Sequence, residues 1–229
     1  MFKVSKFYPA LLLILFSWVL AFGQNDKKLA SAILIDNTGS LRSQFDQVLT
    51  LGKAVARQAA QKGPVSVFNF QGGGDRRNPL AIISGGSAWS QDADALGYFI
   101  DQVYVLGGQT TLLDAVNSMS RDVTSMIALE KDAYANGVII LITDGEDRES
   151  RIKEAELIKE LQKNGTRVYA IGLVKELGSG SFGSKGKKEK AESLLKKLTK
   201  ETGGRVIFPD SGNLDADKLA SKLLAPVVP

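Results

Sequence analysis

The chain has 229 residues, 44% of them hydrophobic and 24% charged, enough apolar content for one packed domain with an additional segment. It contains no His and no Cys. That excludes a Ser-His-Asp triad, a Cys-His pair, disulfides, zinc fingers and iron–sulfur sites, and leaves carboxylates, hydroxyls, Lys, Tyr or an oxygen-held cation for any chemistry.

The N-terminus reads as a targeting segment. Lys3 and Lys6 precede an apolar run over residues 10–20, interrupted only by Ser17, and Ala21-Phe22-Gly23 supplies small residues where a signal peptidase cuts. The run falls short of the roughly 20 residues a membrane-spanning helix needs. The expected division is a cleaved signal peptide at 1–23, a short segment at 24–30 and one domain at 31–229, exported to a periplasmic or extracellular location. An uncleaved segment would instead anchor the protein in a membrane. Cleavage removes two lysines and no acid, leaving 27 basic against 25 acidic residues. That small excess, without a basic stripe interleaved with aromatics, predicts no nucleic-acid partner.

Residues 32–35 form a short apolar run expected as a buried strand. Residues 41–61 carry Phe45, Val48, Leu49, Ala56 and Ala59 along one side of a helix, which Gly63-Pro64 stops. Residues 65–70 alternate as a strand, 71–75 are a Gly-rich turn, and 80–83 return as the hairpin partner. Residues 92–103 read as a short helix and 111–133 as a long one, with Leu112, Val116, Met119, Val123, Met126 and Ile127 near helical spacing. The strongest strand signal is 138–142. An amphipathic helix at 148–163 and a strand at 168–173 follow. Residues 176–188 are Gly/Ser/Lys-rich and read as a mobile loop. A helix at 189–202 is capped by Gly203-Gly204; 205–208 is the last strand and 215–224 a closing helix. Strands that are apolar on both faces and separated by helices imply an α/β fold: a doubly wound, mostly parallel six-stranded sheet with one antiparallel edge strand and helices on both faces.

In such sheets ligands gather beyond the carboxyl ends of the strands, where strand order reverses. Asp36-Asn37-Thr38-Gly39-Ser40 leaves the first strand, Thr143-Asp144-Gly145 leaves the strongest one, and Gly107-Gly108-Gln109-Thr110-Thr111 opens the long helix. Asp36, Thr38, Ser40, Thr110 and Asp144 are thus expected to converge. Five oxygen-bearing side chains suit a hard divalent cation, Mg²⁺ foremost with Mn²⁺ or Ca²⁺ as alternatives, waters filling the remaining positions. Taken singly, residues 36–40 also read as a helix N-cap and 143–145 as a plain turn; their coincidence at three element ends of one sheet is what points to a metal. Asp36 and Thr110 are expected outside the core. The acidic run at 146–149 reads as a solvated helix start, and the lysines of 185–190 as a solvated loop.

The pattern Asp36-x-Thr38-x-Ser40, then Gly107-Gly108-x-Thr110, then Thr143-Asp144-Gly145 resembles the von Willebrand factor type A (vWA) domain and its metal-ion-dependent adhesion site. Residues 110–115 are similar to that family's Thr-Ala-Leu-Tyr-Asp-Ala stretch, which selects Thr110 over Thr111. The family's usual first motif is Asp-x-Ser-x-Ser, so Thr38 departs from it while keeping the hydroxyl. The resemblance spans about residues 30–225. It implies that Thr38, Ser40 and Thr110 hold a cation directly and that Asp36 and Asp144 hold it directly or through water.

The expected function is that of a non-enzymatic, exported binding module. A protein partner's acidic side chain would complete the coordination of the cation, and the basic residues of 71–78 (Arg76, Arg77) and 176–188 (Lys185, Lys187, Lys188) would assist on either side. Two alternatives stand beside it. One is a metal-dependent hydrolase or phosphatase using Asp36 as nucleophile, although such enzymes need a second acid where Thr38 stands. The other is a cell-envelope assembly factor.

Overall fold

The computed structural model describes residues 28–71, 83–129, 133–178, 184–210 and 214–225. The expected signal peptide at 1–23 and the segment following it fall almost wholly outside the described residues.

Six strands, β1 (Lys28–Asp36), β2 (Val65–Phe70), β3 (Ile83–Gly86), β4 (Tyr134–Thr143), β5 (Arg167–Gly172) and β6 (Val206–Ile207), form one sheet in the order β3-β2-β1-β4-β5-β6. β1 pairs in parallel with β2 and β4, placing Ile33 beside Val67 and Ile140. β5 pairs in parallel with β4 and β6, and only β3 runs antiparallel, at the edge beside β2. The architecture is the doubly wound one expected from the sequence, and the chain reverses its direction of sheet growth between β1 and β4.

Helices α1 (Phe45–Ala60), α2 (Ala93–Asp101) and α6 (Ala216–Leu224) cover one face, and α3 (Leu112–Leu129), α4 (Glu154–Lys163) and α5 (Ser184–Glu201) the other. Strand alternation sorts side chains between these layers. Ile33 and Ile35 of β1, with Ile140 and Ile142 of β4, meet Val48, Leu51, Val55, Leu96 and Leu223. Ala32, Leu34, Ile139 and Leu141 meet Leu112, Val116, Met119, Leu157, Leu161 and Leu195. Both faces of β1 and β4 are therefore dry, which explains their unbroken apolar runs.

Several element ends differ from the sequence reading. A 3-10 turn at Gly39–Gln44 precedes α1, because the side chains of 36–40 bond to one another rather than cap a helix. Helix α4 begins at Glu154 rather than 148, because residues 147–152 are bonded to the start of α3. Helix α5 begins at Ser184, inside the segment read as a loop: Lys- and Glu-rich chain is good helix former even with Gly186 in its first turns. The returning edge strand lies at Ile83–Gly86, with residues 80–82 outside the described residues. Among the described residues no helix is long and apolar enough to cross a membrane.

One glycine is dictated by packing. A Cβ on Gly204 would lie 1.9 Å from the carbonyl oxygen of Val168, so only Gly lets the turn after α5 lie against β5.

Candidate functional site

The carboxyl ends of β1 and β4 lie side by side at the reversal of strand order, the position where open α/β sheets bind ligands. Asp36 closes β1 and is fully buried. Its Oδ1 accepts from the Thr38 backbone N–H (3.0 Å) and the Thr38 hydroxyl (2.7 Å). Its Oδ2 accepts from the Thr143 hydroxyl at 2.7 Å. Thr38 Oγ1 lies 3.2 Å from Ser40 Oγ and 3.5 Å from Thr110 Oγ1. Three hydroxyls from two separate segments thus gather over one carboxylate. Thr111, by contrast, turns its hydroxyl toward the Gln71 carbonyl at 3.5 Å.

Asp144 follows β4. Thr143 Oγ1 accepts from the Gly145 N–H at 2.9 Å, and Asp144 Oδ1 from the Glu146 N–H at 2.9 Å. These are ordinary side-chain turns. Gly145 has φ +78°, and a Cβ there would sit 2.9 Å from Leu195, so the turn needs Gly on two counts. The turn leaves the other oxygen, Asp144 Oδ2, buried with no hydrogen-bond partner. A buried carboxylate oxygen without a donor is costly unless a cation or water meets it.

The electrostatics agree. Burial, then the neighbouring Asp144 carboxylate, push the Asp36 carboxyl up to about 7, against the hydrogen bonds from Thr38 and Thr143. Burial also raises Asp144, with the nearby Ser40 hydroxyl and the Glu146 N–H opposing. Two acids that repel each other inside the fold, ringed by hydroxyls, form a donor set suited to a hard divalent cation. Among the described residues no three carboxylates cluster; the set is two carboxylates with hydroxyls.

The structure brings together Asp36, Thr38, Ser40, Thr110 and Asp144 at one sheet end, with Ser40 alone exposed. The expectation that Asp36 and Thr110 lie outside the core is corrected: they are 0% and 2% exposed. The capping reading of residues 36–40 is not what the bonds do, since Thr38 makes no side-chain cap to the following turn.

The acidic run at 146–149 is not a solvated helix start either. Glu146 is buried, is bonded by the Arg148 guanidinium and has Lys187 Nζ at 3.9 Å. Asp147 Oδ1 accepts from the Leu113 N–H of α3 (3.3 Å) and the Ser150 hydroxyl (2.5 Å), and burial raises its pKa. Asp114 answers by accepting from the Arg151 and Ile152 N–H groups, each at 3.0 Å. The Thr110 carbonyl accepts from the Arg148 N–H at 2.9 Å. This reciprocal lacing holds Thr110 against the end of β4.

Sequence reasoning missed Thr143 and Asp147. A Thr two residues before Gly, at a strand end beside a buried Asp, is the signal for the first. The second pairs segments 34 residues apart and leaves no local trace. Of the two basic segments, Arg76 and Arg77 lie outside the described residues, as does most of 71–78. Lys187, through Glu146, is placed beside the site.

The chain matches the von Willebrand factor type A domain family over residues 32–221. It belongs to that family. Among solved structures, the vWA domain here is similar to the pilus adhesin SpaC from Lactobacillus rhamnosus GG in its open conformation, with a TM-score of 0.57 and 14% identity over 87% of this chain. A second SpaC structure gives a TM-score of 0.58 at 15% identity. The match covers 29–30% of the adhesin, so this chain corresponds to under a third of that protein. At such identity the likeness shows the shared fold. No curated protein matches the chain.

Proposed function

We propose that this vWA domain is an exported protein-binding module whose site holds a divalent cation, Mg²⁺ foremost, and presents it to an acidic side chain of a protein partner. The observation that carries this reading is the unpartnered, buried Asp144 Oδ2 beside three clustered hydroxyls. Thr38, Ser40 and Thr110 would supply hydroxyl oxygens, with Asp36 and Asp144 as the charged members. A divalent cation bound there neutralises the two carboxylates and supplies a coordination position open to a partner's carboxylate. Thr143 holds Asp36 in place, and the Asp147–Leu113 and Asp114–Arg151 bonds hold Thr110 in place. Ser40, the exposed member, marks the side from which a partner approaches. The likeness to a pilus adhesin and the basic, apolar N-terminal segment are in keeping with an exported, adhesive role.

The hydrolase reading has less support. A nucleophilic carboxylate needs a free oxygen facing substrate. Both oxygens of Asp36 are engaged, and the residue is fully buried. An envelope assembly factor would use the same site chemistry with a different partner.

The test is calorimetric titration of the mature chain with Mg²⁺ and Mn²⁺. Saturable binding that Asp144→Ala and Thr110→Ala abolish is expected. Absence of binding at millimolar cation would refute the metal reading and leave two bonded turns.

A further inference from the structure

The candidate cation site has a third acid beside it. Glu146 stands two residues after Asp144, so their Cα atoms lie within about 7 Å of each other. Its N–H donates to Asp144 Oδ1 at 2.9 Å, and its side chain is only 8% exposed. Burial raises the Asp144 pKa, and the Glu146 charge adds to that rise. Two cations meet this acid. The Arg148 guanidinium bonds Glu146 Oε2, and Lys187 Nζ of α5 lies 3.9 Å from Oε1. Both are open to solvent, with side chains 44% and 59% exposed, and with Lys190 they line a cavity of about 420 Å³ whose wall includes Gly145. Arg148 also reaches the loop that carries Thr110. Its N–H donates to the Thr110 carbonyl (2.9 Å) and its Nη1 to Gln109 Oε1 (3.4 Å). The guanidinium is thus fixed between the Thr110 loop and the Asp144 turn.

We propose that Arg148 and Lys187 are specificity-determining residues: by offsetting Glu146 they make an acid-lined cation site receptive to a partner's carboxylate. The inference rests on the metal reading above for the cation itself.

The charges carry the argument. A divalent cation balances Asp36 and Asp144 and leaves that group neutral. Glu146 adds a negative charge next to it, which favours the cation and repels an approaching carboxylate. Arg148 and Lys187 reverse the sign, so the loaded site shows net positive charge on the side lined by the cavity. At an effective dielectric constant of about 20, unit charges several ångströms apart change an affinity several-fold each. A site without the two cations holds metal more tightly and a carboxylate more weakly. If the two pairs served only to satisfy a buried acid, breaking them would leave that acid uncompensated and weaken both ligands together. The two roles therefore predict opposite signs for the metal.

The experiment uses the mature chain with Mn²⁺ as the metal and acetate as the carboxylate probe. Calorimetry reads Mn²⁺ affinity. Paramagnetic relaxation of the acetate methyl protons, with the chain saturated in Mn²⁺, reads carboxylate bound at the metal. Lys187→Gln, a change on an exposed helix surface, is expected to tighten Mn²⁺ about two- to fivefold and to weaken acetate by a similar factor. Arg148→Gln keeps the N–H bonded to Thr110 and should act in the same direction. Glu146→Gln should do the reverse, weakening Mn²⁺ and tightening acetate. All three differences should shrink as NaCl rises from about 20 to about 300 mM, because salt screens charges open to water. A cation variant that weakens both ligands, or changes neither, overturns the proposal for that residue. Failure of the unsubstituted chain to bind Mn²⁺ at millimolar concentration refutes the metal reading and this inference with it. Mn²⁺ binding in which metal and acetate affinities move together across the variants overturns this inference alone.

Discussion

The sharpest consequence of the site is a stability profile that reverses with cation. In the metal-free fold Asp36 is pushed up to about 7 by burial and by Asp144, whereas in the unfolded chain it titrates near 3.9. Between those values the folded chain keeps a proton that the unfolded chain has released. This contribution therefore favours the fold at pH 4 and is lost as pH rises through 7. The separation is about three pH units, so the full loss is about 4 kcal/mol, or roughly 10 °C of melting temperature for a domain of this size. A bound cation inverts the sign, because it must displace the proton: its apparent affinity should weaken about tenfold per pH unit below 7. Urea unfolding in chelator from pH 4.5 to 8.5, repeated at 5 mM Mg²⁺, measures both limbs. The difference between wild type and Asp144→Asn cancels the titration common to both chains; that variant removes the repulsion but not the burial, and should make the chelator curve shallower without abolishing it. A wild-type minus Asp144→Asn difference independent of pH would show that the two carboxylates do not repel in the folded chain, and would remove the electrostatic argument for a cation.

Other outcomes follow from single contacts. Thr143→Val keeps shape but removes the donor to Asp36 Oδ2 and the acceptor of the Gly145 N–H; it should cost about 2–3 kcal/mol in urea unfolding and weaken Mg²⁺ binding measured by calorimetry. Thr38→Ser keeps the hydroxyl that bonds Asp36 and removes one buried methyl, so stability should fall by about 1 kcal/mol or less with Mg²⁺ affinity within threefold of wild type. Gly204→Ala places a methyl 1.9 Å from a backbone oxygen that cannot yield, and should lower stability by at least roughly 3 kcal/mol by circular dichroism melting.

The fold was legible because its information is local. Apolar runs at 65–70, 138–142 and 168–173 could not face water on either side, and helices with one apolar stripe separated them; a doubly wound sheet is the arrangement that buries both. The single antiparallel edge strand was expected from the Gly-rich connection after residue 70, although it lies at Ile83–Gly86 rather than at 80–83. Boundaries were not, where side chains compete with backbone. Residues 39–44 form a tight 3-10 turn rather than α-helix because Thr38 bonds to Asp36. Residues 148–153 stay out of α4 because Asp114 takes the N–H groups of Arg151 and Ile152. Pairing partners 37 and 38 residues apart cannot be read from periodicity.

The candidate site divides the same way. Its five side chains were found because the carboxyl end of each strand is a known place to look and the residue types there share one chemistry. What holds them was hidden, since Thr143, Asp147 and Asp114 act across the β1–β4 and α3–β4 junctions. Asp36 is held by the Thr38 and Thr143 hydroxyls against the repulsion of Asp144, whereas Asn37, one residue on, is clamped to Phe70, Tyr104 and Leu106. Among the described residues five buried side-chain oxygens lack a hydrogen-bond partner, and Asp144 Oδ2 is the carboxylate oxygen among them at this strand end, where a cation can offset its cost.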